Sequence, residues 1–591
     1  MCGIVALFNS KKEINKKIID RSIVAMNHRG PDASGTYFDE KGLLGLGNNR
    51  LAFVDPKKRS DQPLEVNDYV ITFNGEIYNY RELKKQLQKE GYLFQTESDT
   101  EVLIHAISAW GTKALLKFNG CFAFILYNKK TGKVLIARDR LGEKQLVYTK
   151  AQNGDHMFAS EIKGLFVHPD IPCLQNLDRC IGTLIFNIYT DPSETFFDAI
   201  FEFPPGHFCE FDLHGQTDRV FKKYWDLSDI QIKDYTAKDI PELIAETKDL
   251  LCDAVRLQMP EHLPIGSILS GGLDSSLISG LATSMTPQAI LHCFTIGYDG
   301  VVNRDLQNAR LLAASHPSIQ LHEIIMKKSD LTKYEKSVMS ALEEPPTDTA
   351  LHSMYENYKS AKEIGLKCVF NGQGSDEQWL GYLHADPIFG MPQSIYKKGV
   401  FARYWYDSSY FTDYIKDSVI KKRVKEVIEK NLERNFYAYD QEDHYDTLTR
   451  FALKTHLVHL LHQEDRLSMS NSIEIRLPFL DTRLIELALS IPASIKKYDG
   501  REKFILRKAA EGIIPKAIIQ RKKQGFPCAP HSYDKVRNMS INPKEEKHIQ
   551  TSNFMKILFG DKIKILSSLP IKEQQIPQVI AQFQTHQTSE Q

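Results

Sequence analysis

The sequence predicts a multidomain α/β protein in which antiparallel sheets flanked by helices precede a doubly wound parallel sheet. Its 591 residues exceed the roughly 100–200 residues of one domain, so a single core is excluded. Short apolar or β-branched runs, bounded by Gly, Asn or Asp, fill the first part of the chain. Later, apolar strands alternate with helical patterns, which is typical of βαβ units. We expect domains over 1–210 and 236–530, a connector over 211–235, and an unassigned extension over 531–591.

The first domain is predicted from its strand and helix patterns. Apolar runs predict strands over 2–8, 69–73, 121–127 and 133–137. Apolar residues at helical spacing predict helices over 16–26, 80–90 and 100–110. We therefore expect helices on the outside of antiparallel sheets.

In the second domain, each predicted strand is followed by a helix or a Gly-rich loop. A helix over 240–257 precedes a buried strand, and the later elements follow in order. Strands are predicted over 265–269, 291–296, 321–326 and 367–370, with helices from about 274, over 306–314, in two stretches before 367, and through 400–515. Gly-rich loops at 270–272 and 372–374 follow two of these strands. Ligands bind at the carboxyl ends of such strands, where both loops fall.

Composition excludes several classes of protein. Apolar residues make up 42% and charged residues 25%, and 75 basic residues balance 75 acidic residues. A neutral chain gives no reason to expect a nucleic acid or a membrane surface as partner. No apolar run approaches 18 residues, and the first residues lack the basic start of a signal peptide. Nine scattered Cys residues without metal-ligand spacing fit reduced thiols, so we expect a cytoplasmic protein.

Cys2 is the first candidate catalytic residue. Removal of Met1 would place its α-amine beside its own thiol, and the pKa of such an amine is about 7.7–8.0. One residue would then supply both nucleophile and general base. A small apolar residue that begins a strand is the ordinary alternative for an isolated Cys at this place.

Further motifs in a fixed order favour the catalytic interpretation. They lie at 2–5, 27–32, 49–51, 73–79, 98–101, 137–142 and 160–163. Together they resemble the glutaminase domain of class II glutamine amidotransferases over most of residues 2–165. The resemblance implies an αββα sandwich of the N-terminal-nucleophile type.

The resemblance also implies roles for individual residues. Cys2 attacks the glutamine amide, while the Asn74 side chain and the Gly75 N–H form the oxyanion hole. The substrate would be held by three further residues: Arg50 at its α-carboxylate, Asp99 at its α-ammonium and Glu76 at its amide. Taken alone, Asn74-Gly75 is otherwise a type I′ hairpin turn.

The loop over 270–276, SGGLDSS, follows a strand and opens a helix. Glycines, hydroxyls and a helix N-terminus suit a phosphate, but the lysine of a GxxxxGK[ST] loop is absent. The loop resembles the pyrophosphate loop of N-type ATP pyrophosphatases, an adenine nucleotide alpha hydrolase-like fold. The resemblance implies an ATP site made by Leu269, Ser270, Gly271, Gly272, Asp274, Ser275, Ile296, Asn371 and Gly372.

Asp274 and Asp376 follow two strands of the same predicted sheet. Mg²⁺ needs only one or two protein carboxylates beside phosphate oxygens, so this pair is the predicted metal site. A helix-capping or surface Asp is the alternative.

Motifs at 465–469, 473–481, 503–507 and 521–526 extend the likeness. The whole of residues 2–530 resembles glutamine-hydrolysing asparagine synthetase, and Lys503 would place a cation against pyrophosphate or the intermediate. Gln373 departs from the pattern, since many members have a titratable Glu there.

Three hypotheses follow. The first is amidation of aspartate with ATP and glutamine, and the second is amidation of another carboxylate, such as a uronic-acid sugar or a peptide. The third is a non-catalytic scaffold, which the intact Cys2, Asn74, Asp99 and Asp376 disfavour. The oligomeric state, with a homodimer as one option, stays open.

Overall fold

The structure is a computed structural model, and it describes residues 2–176, 178–179, 193–215, 220–261, 263–344, 350–381, 422–423, 426–427, 430 and 444–523. The predicted extension over 531–591 lies outside the described residues, as does most of 400–443 in the predicted helical region.

The first domain contains two six-stranded sheets in the described part of the chain, and every strand pair in them is antiparallel. The strands are β1 Cys2–Phe8, β2 Ala33–Phe38, β3 Leu44–Arg50, β4 Leu64–Val66, β5 Tyr69–Ile77, β6 Gly120–Asn128, β7 Lys133–Arg138, β8 Val147–Lys150, β9 His156–Ala159, β10 Phe201–Glu202, β11 His207–Asp212 and β12 Lys222–Lys223. The first sheet has the order β10-β8-β9-β1-β3-β2, and the second has the order β12-β11-β7-β6-β5-β4.

The two sheets stack face to face between helices. Alternate residues of β1 point to opposite faces, so Ile4 packs against the second sheet while Val5 packs toward helices of the outer layer. Phe73 of β5 faces the helices on the other side. The helices of this domain are α1 Lys16–Ala25, α2 Tyr80–Lys89, α3 Asp99–Trp110, α4 Ala114–Lys117 and α5 Ile162–Leu165. These four layers are the predicted αββα sandwich.

The second sheet continues beyond the predicted end of the first domain. Strand β11 crosses residue 210 and pairs with β7, and β12 lies within the predicted connector. This continuation was not predicted, because the apolar run of β11 follows Pro204-Pro205-Gly206 and is short.

The second domain is built on a five-stranded parallel sheet with the order β15-β14-β13-β16-β17. Its strands are β13 Gly266–Ile268, β14 Leu291–Tyr298, β15 Ile319–Met326, β16 Cys368–Phe370 and β17 Glu474–Arg476. The chain moves from β13 to one side of the sheet and later returns to the other side at β16. The strand order therefore reverses between β13 and β16, and a crevice for a ligand opens at such a point.

Helices cover this sheet in the described part of the second domain. Those in the described residues are α6 Ile240–Gln258, α7 Leu273–Met285, α8 Arg304–Ser315, α9 Lys328–Leu342, α10 Ala350–Glu363, α11 Ser375–Gln378, α12 His444–Lys454, α13 His456–Ser470, α14 Thr482–Ser490, α15 Ala493–Lys496, α16 Phe504–Ala509 and α17 Lys516–Ile519. Not one helix in the described residues combines the length and the apolar character that crossing a bilayer requires.

Buried charges join the two domains. Arg29 pairs with Glu161 at 2.8 Å and with Asp465 of α13 at 2.9 Å. Arg466 pairs with Glu343 at 3.1 Å, and Glu343 also accepts hydrogen bonds from backbone N–H groups at the start of α5. Removing one partner of a buried ion pair typically costs about 3–5 kcal/mol, so these contacts fix one domain against the other.

Candidate active sites

Cys2 begins β1 and lies between the two sheets of the first domain. It is 5% exposed, and its Cα is the register partner of Arg50 on β3. The Cys2 backbone N–H donates to Asn74 Oδ1 at 2.9 Å, which links β1 to β5. Burial raises the pKa of the thiol above its ordinary value, and the positive charge of Arg50 opposes this shift. The predicted nucleophile is thus a buried thiol beside the predicted oxyanion residue.

Asn74 and Gly75 lie in the middle of β5, not in a turn. They pair with Ala123 and Phe122 of β6, so the alternative of a hairpin turn is wrong. Glycine is required for another reason, because a Cβ on Gly75 would overlap the Cys121 carbonyl oxygen. The Asn74 Nδ2 is buried and has no hydrogen-bond partner in the part of the chain that the structure describes. A buried amide donor of this kind is suited to an oxyanion.

Arg50 holds a neighbouring loop. Its guanidinium forms an ion pair with Asp61 at 2.8 Å. It also donates to the carbonyl oxygens of Lys57, Val54 and Asp55 at 3.3, 3.1 and 2.7 Å. A substrate carboxylate would have to share the guanidinium with these partners, so its predicted role in glutamine binding stays a prediction.

Glu76 and Asp99 belong to a buried group of charged residues that also includes Glu474 and Arg476 of the second domain. Glu76 Oε1 lies 3.4 Å from Arg476 Nη2, and Arg476 Nε lies 2.5 Å from Glu474 Oε1. Asp99, at the start of α3, accepts a hydrogen bond from the Ile77 N–H at 3.0 Å. Burial raises the pKa of Glu76 to about 8 and that of Asp99 to about 6, with Glu474 adding to both shifts and Arg476 opposing them. Glu474 and Arg476 have no predicted role, because charges in so short a strand give no sequence signal.

The two Gly-rich loops of the second domain meet at the switch point of the sheet. A Cβ on Gly372 would lie only 3.0 Å from the Ser275 backbone nitrogen, so the loop after β16 touches the start of α7. Within the first loop, the Ser270 and Ser275 hydroxyls lie 3.0 Å apart, and Ser275 also accepts from the Ser270 N–H. Gly271 has a φ of +66°, and a Cβ there would lie 2.5 Å from the Asp305 carbonyl oxygen. The predicted pyrophosphate loop is therefore tight and preformed at a helix N-terminus.

The remaining predicted nucleotide residues lie at the same edge of the sheet. Leu269 and Ile296 are buried at the ends of β13 and β14. The Asn371 backbone N–H donates to the Arg476 carbonyl oxygen at 2.9 Å, and its side chain donates to Glu464 Oε1 at 2.9 Å. Burial raises the pKa of Glu464 to about 8. Asn371 is therefore fixed by two residues that lie outside the predicted site.

Asp274 and Asp376 share the ammonium of Lys503. Lys503 Nζ lies 2.7 Å from Asp274 Oδ2 and 2.5 Å from Asp376 Oδ1, and its side chain is nearly fully buried. Lys523 pairs with Asp376 from the other side, and the Ser375 hydroxyl donates to Asp274 at 2.8 Å. Burial would raise the pKa of Asp376, but the two lysines more than offset it and hold that pKa well below its usual range.

The expected pair of carboxylates is therefore adjacent, as a magnesium site requires, and it is neutralised by lysines. Within the described ranges, no group of three or more His, Cys, Asp or Glu side chains is arranged to hold a metal ion. Two carboxylates and phosphate oxygens suffice for Mg²⁺, so the predicted metal site stays a prediction.

Gln373 belongs to the loop after β16, between Gly372 and Gly374, and is partly exposed. Its side chain makes no hydrogen bond to another described residue. A side chain with free donors and acceptors can orient a carboxylate or an amine, but an amide cannot exchange a proton at neutral pH.

Lys523 and Arg521 were not predicted. Arg521 Nη1 donates to the Gly271 carbonyl oxygen at 2.9 Å, and its guanidinium also pairs with Asp305. Both residues belong to the basic start of the motif at 521–526, whose position after α17 gives no indication that it returns to the loop after β13. The last three residues of that motif lie outside the described residues.

Comparisons with known proteins assign both domains. A model of the glutamine amidotransferase domain matches residues 1–225, and a model of asparagine synthase matches residues 246–558. Glutamine-hydrolysing asparagine synthetase 1 of Bacillus subtilis is 29% identical to this chain, and the alignment covers 94% of the chain and 93% of that protein. Asparagine synthetase 3 of the same organism is 32% identical, with 90% of the chain and 88% of that protein covered. Amidase chry2 of Gibberella zeae is 26% identical, with coverages of 89% and 88%.

The family model of the second domain spans more than half of the chain, and one relative exceeds 30% identity over nearly its whole length. The chain therefore belongs to the family of glutamine-hydrolysing asparagine synthetases, with a glutamine amidotransferase domain followed by an ATP-using asparagine synthase domain.

Proposed function

We propose that this protein is a glutamine-dependent asparagine synthetase. Glutamine is hydrolysed in the first domain, and the ammonia amidates an acyl-adenylate made from aspartate and ATP in the second. The products are asparagine, glutamate, AMP and pyrophosphate. One observation carries glutamine hydrolysis: the buried Cys2 is hydrogen-bonded to Asn74, whose amide donor has no partner among the described residues.

In the first half-reaction, the Cys2 thiolate attacks the side-chain carbonyl carbon of glutamine. After removal of Met1, the α-amine of Cys2 accepts the thiol proton and returns it to the ammonia that leaves as the C–N bond breaks. The glutamyl group is then held on Cys2 as a thioester, and attack by water releases glutamate and regenerates the thiol. Asn74 Nδ2 and the Gly75 N–H stabilise the oxyanion, and mutation of one such donor typically costs about 10²–10³ in rate. Asp99, Glu76 and Arg50 hold the polar groups of the substrate.

In the second half-reaction, the loop over 270–276 binds the phosphates of ATP. Asp274 and Asp376 would hold Mg²⁺, which supplies charge neutralisation for the leaving pyrophosphate. Lys503 and Lys523 already lie on these carboxylates, and their ammonium groups are then available to the phosphate oxygens. Asn371 and Gly372 border the nucleotide.

Aspartate is the proposed acceptor because two relatives of comparable length are named asparagine synthetases. Gln373 favours a second candidate, amidation of a different carboxylate, because it cannot relay a proton near the acyl-adenylate. A relative named as an amidase is in keeping with variation in the acceptor.

The test is steady-state kinetics with ATP, Mg²⁺ and glutamine, in which AMP and amide product are measured with aspartate and with a panel of other carboxylic acids. Aspartate-dependent AMP and asparagine in equal amounts would support the proposal. Pyrophosphate release with another acid and none with aspartate would transfer the assignment to the second candidate. If aspartate reacts, Gln373→Glu should retain it as substrate.

A further inference from the structure

Strand β17 presents two charged side chains to the first domain. Glu474 is fully buried and Arg476 is 3% exposed. Alternate residues of a strand share a face, so these two lie together while Ile475 points into the apolar core of the second domain. A strand that carries two buried charges on one face needs charged partners on that face, and the first domain supplies them.

Arg476 is enclosed by residues of the predicted glutamine site and its surroundings. Its guanidinium contacts Glu76 and Glu474, at 3.4 and 2.5 Å. It also lies over the rings of Phe53 and Tyr78, 5.3 and 5.5 Å from their centroids. A guanidinium of the second domain is therefore part of the wall around Glu76.

Cations of other elements also act on this group. Besides Arg476, the N-terminal amine and the buried Lys144 lower the pKa of Glu474, and the amine also lowers the pKa of Glu76. The Cys2 thiol and the Tyr78 hydroxyl are neutral at pH 7 because burial raises the pKa of both. Burial still raises the pKa of Glu76 to about 8, so a cation brought to this group by a ligand would be favoured. The α-ammonium of glutamine is a cation of this kind.

We propose that the second domain completes the glutamine site, with Arg476 and Glu474 as positioning residues that set the charge and orientation of Glu76 and Asp99. This inference rests on the proposed glutaminase function of the first domain. Together with the N–H groups of Ile77 and Thr100, the charge of Arg476 opposes the effect of burial on Asp99 and so favours the ionised form that would bind the substrate ammonium. Glu474 adds to the negative potential that attracts this ammonium. The Arg476 carbonyl oxygen also accepts from the Asn371 N–H, so one strand borders both active sites.

The two residues should act in opposite directions on titration. The charge of Arg476 lowers the pKa of Glu76 and Asp99, and the charge of Glu474 raises them. The acid limb of kcat/KM for glutamine reports ionisations of the free enzyme. Loss of Arg476 should therefore move that limb to higher pH, and loss of the Glu474 charge should move it to lower pH.

The experiment measures glutamate release by the full-length protein as a function of glutamine concentration and pH. The variants are Arg476→Met, Arg476→Lys and Glu474→Gln, with Arg256→Met as control, because Arg256 is an exposed residue of α6 paired with its neighbour Asp253. For Arg476→Met we expect a KM at least 10-fold higher at pH 7 and a limb shifted upward by at least one pH unit. Arg476→Lys keeps the positive charge, so most of the shift should be absent in that variant. Arg256→Met should match the unmodified protein.

Opposite shifts in Arg476→Met and Glu474→Gln are the expected result. Shifts in the same direction, no shift in either, or a lower kcat with an unchanged KM and pH limb would overturn the proposal. If Arg476→Met does not fold, the nearly isosteric Glu474→Gln variant decides instead. A shift of its acid limb to lower pH would support the proposal, and a shift to higher pH would contradict it. Absence of glutamate release by the unmodified protein would instead refute the glutaminase function itself.

Discussion

The two candidate active sites of this protein both contain paired carboxylates, but the pKa values of these groups are shifted in opposite directions. In the candidate glutamine site, Glu76 and Glu474 both contact Arg476, and burial raises the pKa of Glu76 to about 8. In the nucleotide site, Asp274 and Asp376 share Lys503 and Lys523, and the pKa of Asp376 is held far below its usual range. Burial outweighs the charge of Arg476 at Glu76, whereas the two lysines outweigh burial at Asp376.

This difference indicates which charges each site would need from its ligand. A pocket in which burial raises the pKa of carboxyl groups gains most from a ligand that brings its own cation, as an amino acid does. In the candidate nucleotide site, Asp274 and Asp376 would hold Mg²⁺ under the proposed function, and Lys503 and Lys523 would then be available to the phosphates. The following variants test whether the two sites are as separate as this comparison implies.

The largest expected effect is that of Cys2→Ala, which removes the nucleophile from the glutamine site alone. Glutamine-dependent synthesis should fall by at least about 10³-fold. Ammonia-dependent synthesis should continue, because the nucleotide site is intact. Product amide is measured with each nitrogen source, and retained glutamine-dependent turnover would falsify the nucleophile assignment. A variant that keeps Met1 should behave like Cys2→Ala.

The reverse separation is expected for Asp274→Asn and Asp376→Asn. Each should lower synthesis by about 10²–10⁴-fold, through loss of a proposed metal ligand and of a partner of Lys503. Glutamate release should persist in both variants. The assays are AMP, pyrophosphate and glutamate, with Asp249→Asn on the exposed face of α6 as control. Formation of ADP and phosphate by the unmodified protein would contradict the pyrophosphatase chemistry.

Gly75→Ala tests the close approach of β5 and β6 at the predicted oxyanion hole. Its Cβ would overlap the Cys121 carbonyl oxygen, so we expect a loss of about 1–3 kcal/mol in the free energy of unfolding, with loss of glutaminase activity. Gly91→Ala is the matched control, because Gly91 also has a positive φ, +92°, but has no atom within 4 Å of its Cβ position. Equal destabilisation of both variants would mean that backbone strain alone, and not the contact, requires Gly75.

The smallest expected effect concerns stability and pH. The pKa of Glu76 is about 8 in the folded protein and near 4.5 in the unfolded chain, so folding favours its protonated form. Its contribution to stability is fully present below about pH 4.5 and is lost as the pH rises through 8. Glu76→Gln should therefore lose less thermal stability than the unmodified protein between pH 6 and pH 9.

Thermal unfolding of both proteins at the two pH values measures the effect. Glu65→Gln, at an exposed side chain of β4 paired with Lys129, is the control and should follow the unmodified protein. Equal losses of stability in the two proteins would show that Glu76 is ionised in the folded protein over this pH range. That result would contradict the raised pKa of Glu76.

Local pattern was sufficient for most of the elements that carry these sites. Strand β1 has the predicted bounds, and α2 and α3 differ from prediction by one residue at one end. These segments combine regular apolar spacing with clear ends, such as Ser98, whose side chain caps α3. The loop after β13 was predicted for the same reason, because its glycines and hydroxyls are adjacent in sequence.

Strand β17 was not predicted, although its residues lie within a recognised motif. It has three residues, two of them charged, and such a segment resembles an exposed loop. It is a strand only because β16 offers a free edge and because Glu76 and other groups of the first domain accept its charges. The position of Lys523 likewise depends on a partner that is remote in sequence, since Asp376 is 147 residues away.

The sequence by itself determined the two kinds of domain, the nucleophile candidate and the phosphate-binding loop, because each depends on residues close together in the chain. Tertiary structure decided which charges neutralise which carboxylates, and that Asn74 and Gly75 lie within a strand. The physical reason is that electrostatic energy depends on distance and burial, and both are set by the packing of strands that are remote in sequence. Arg476 is the clearest case, since its partner Glu76 belongs to the other domain.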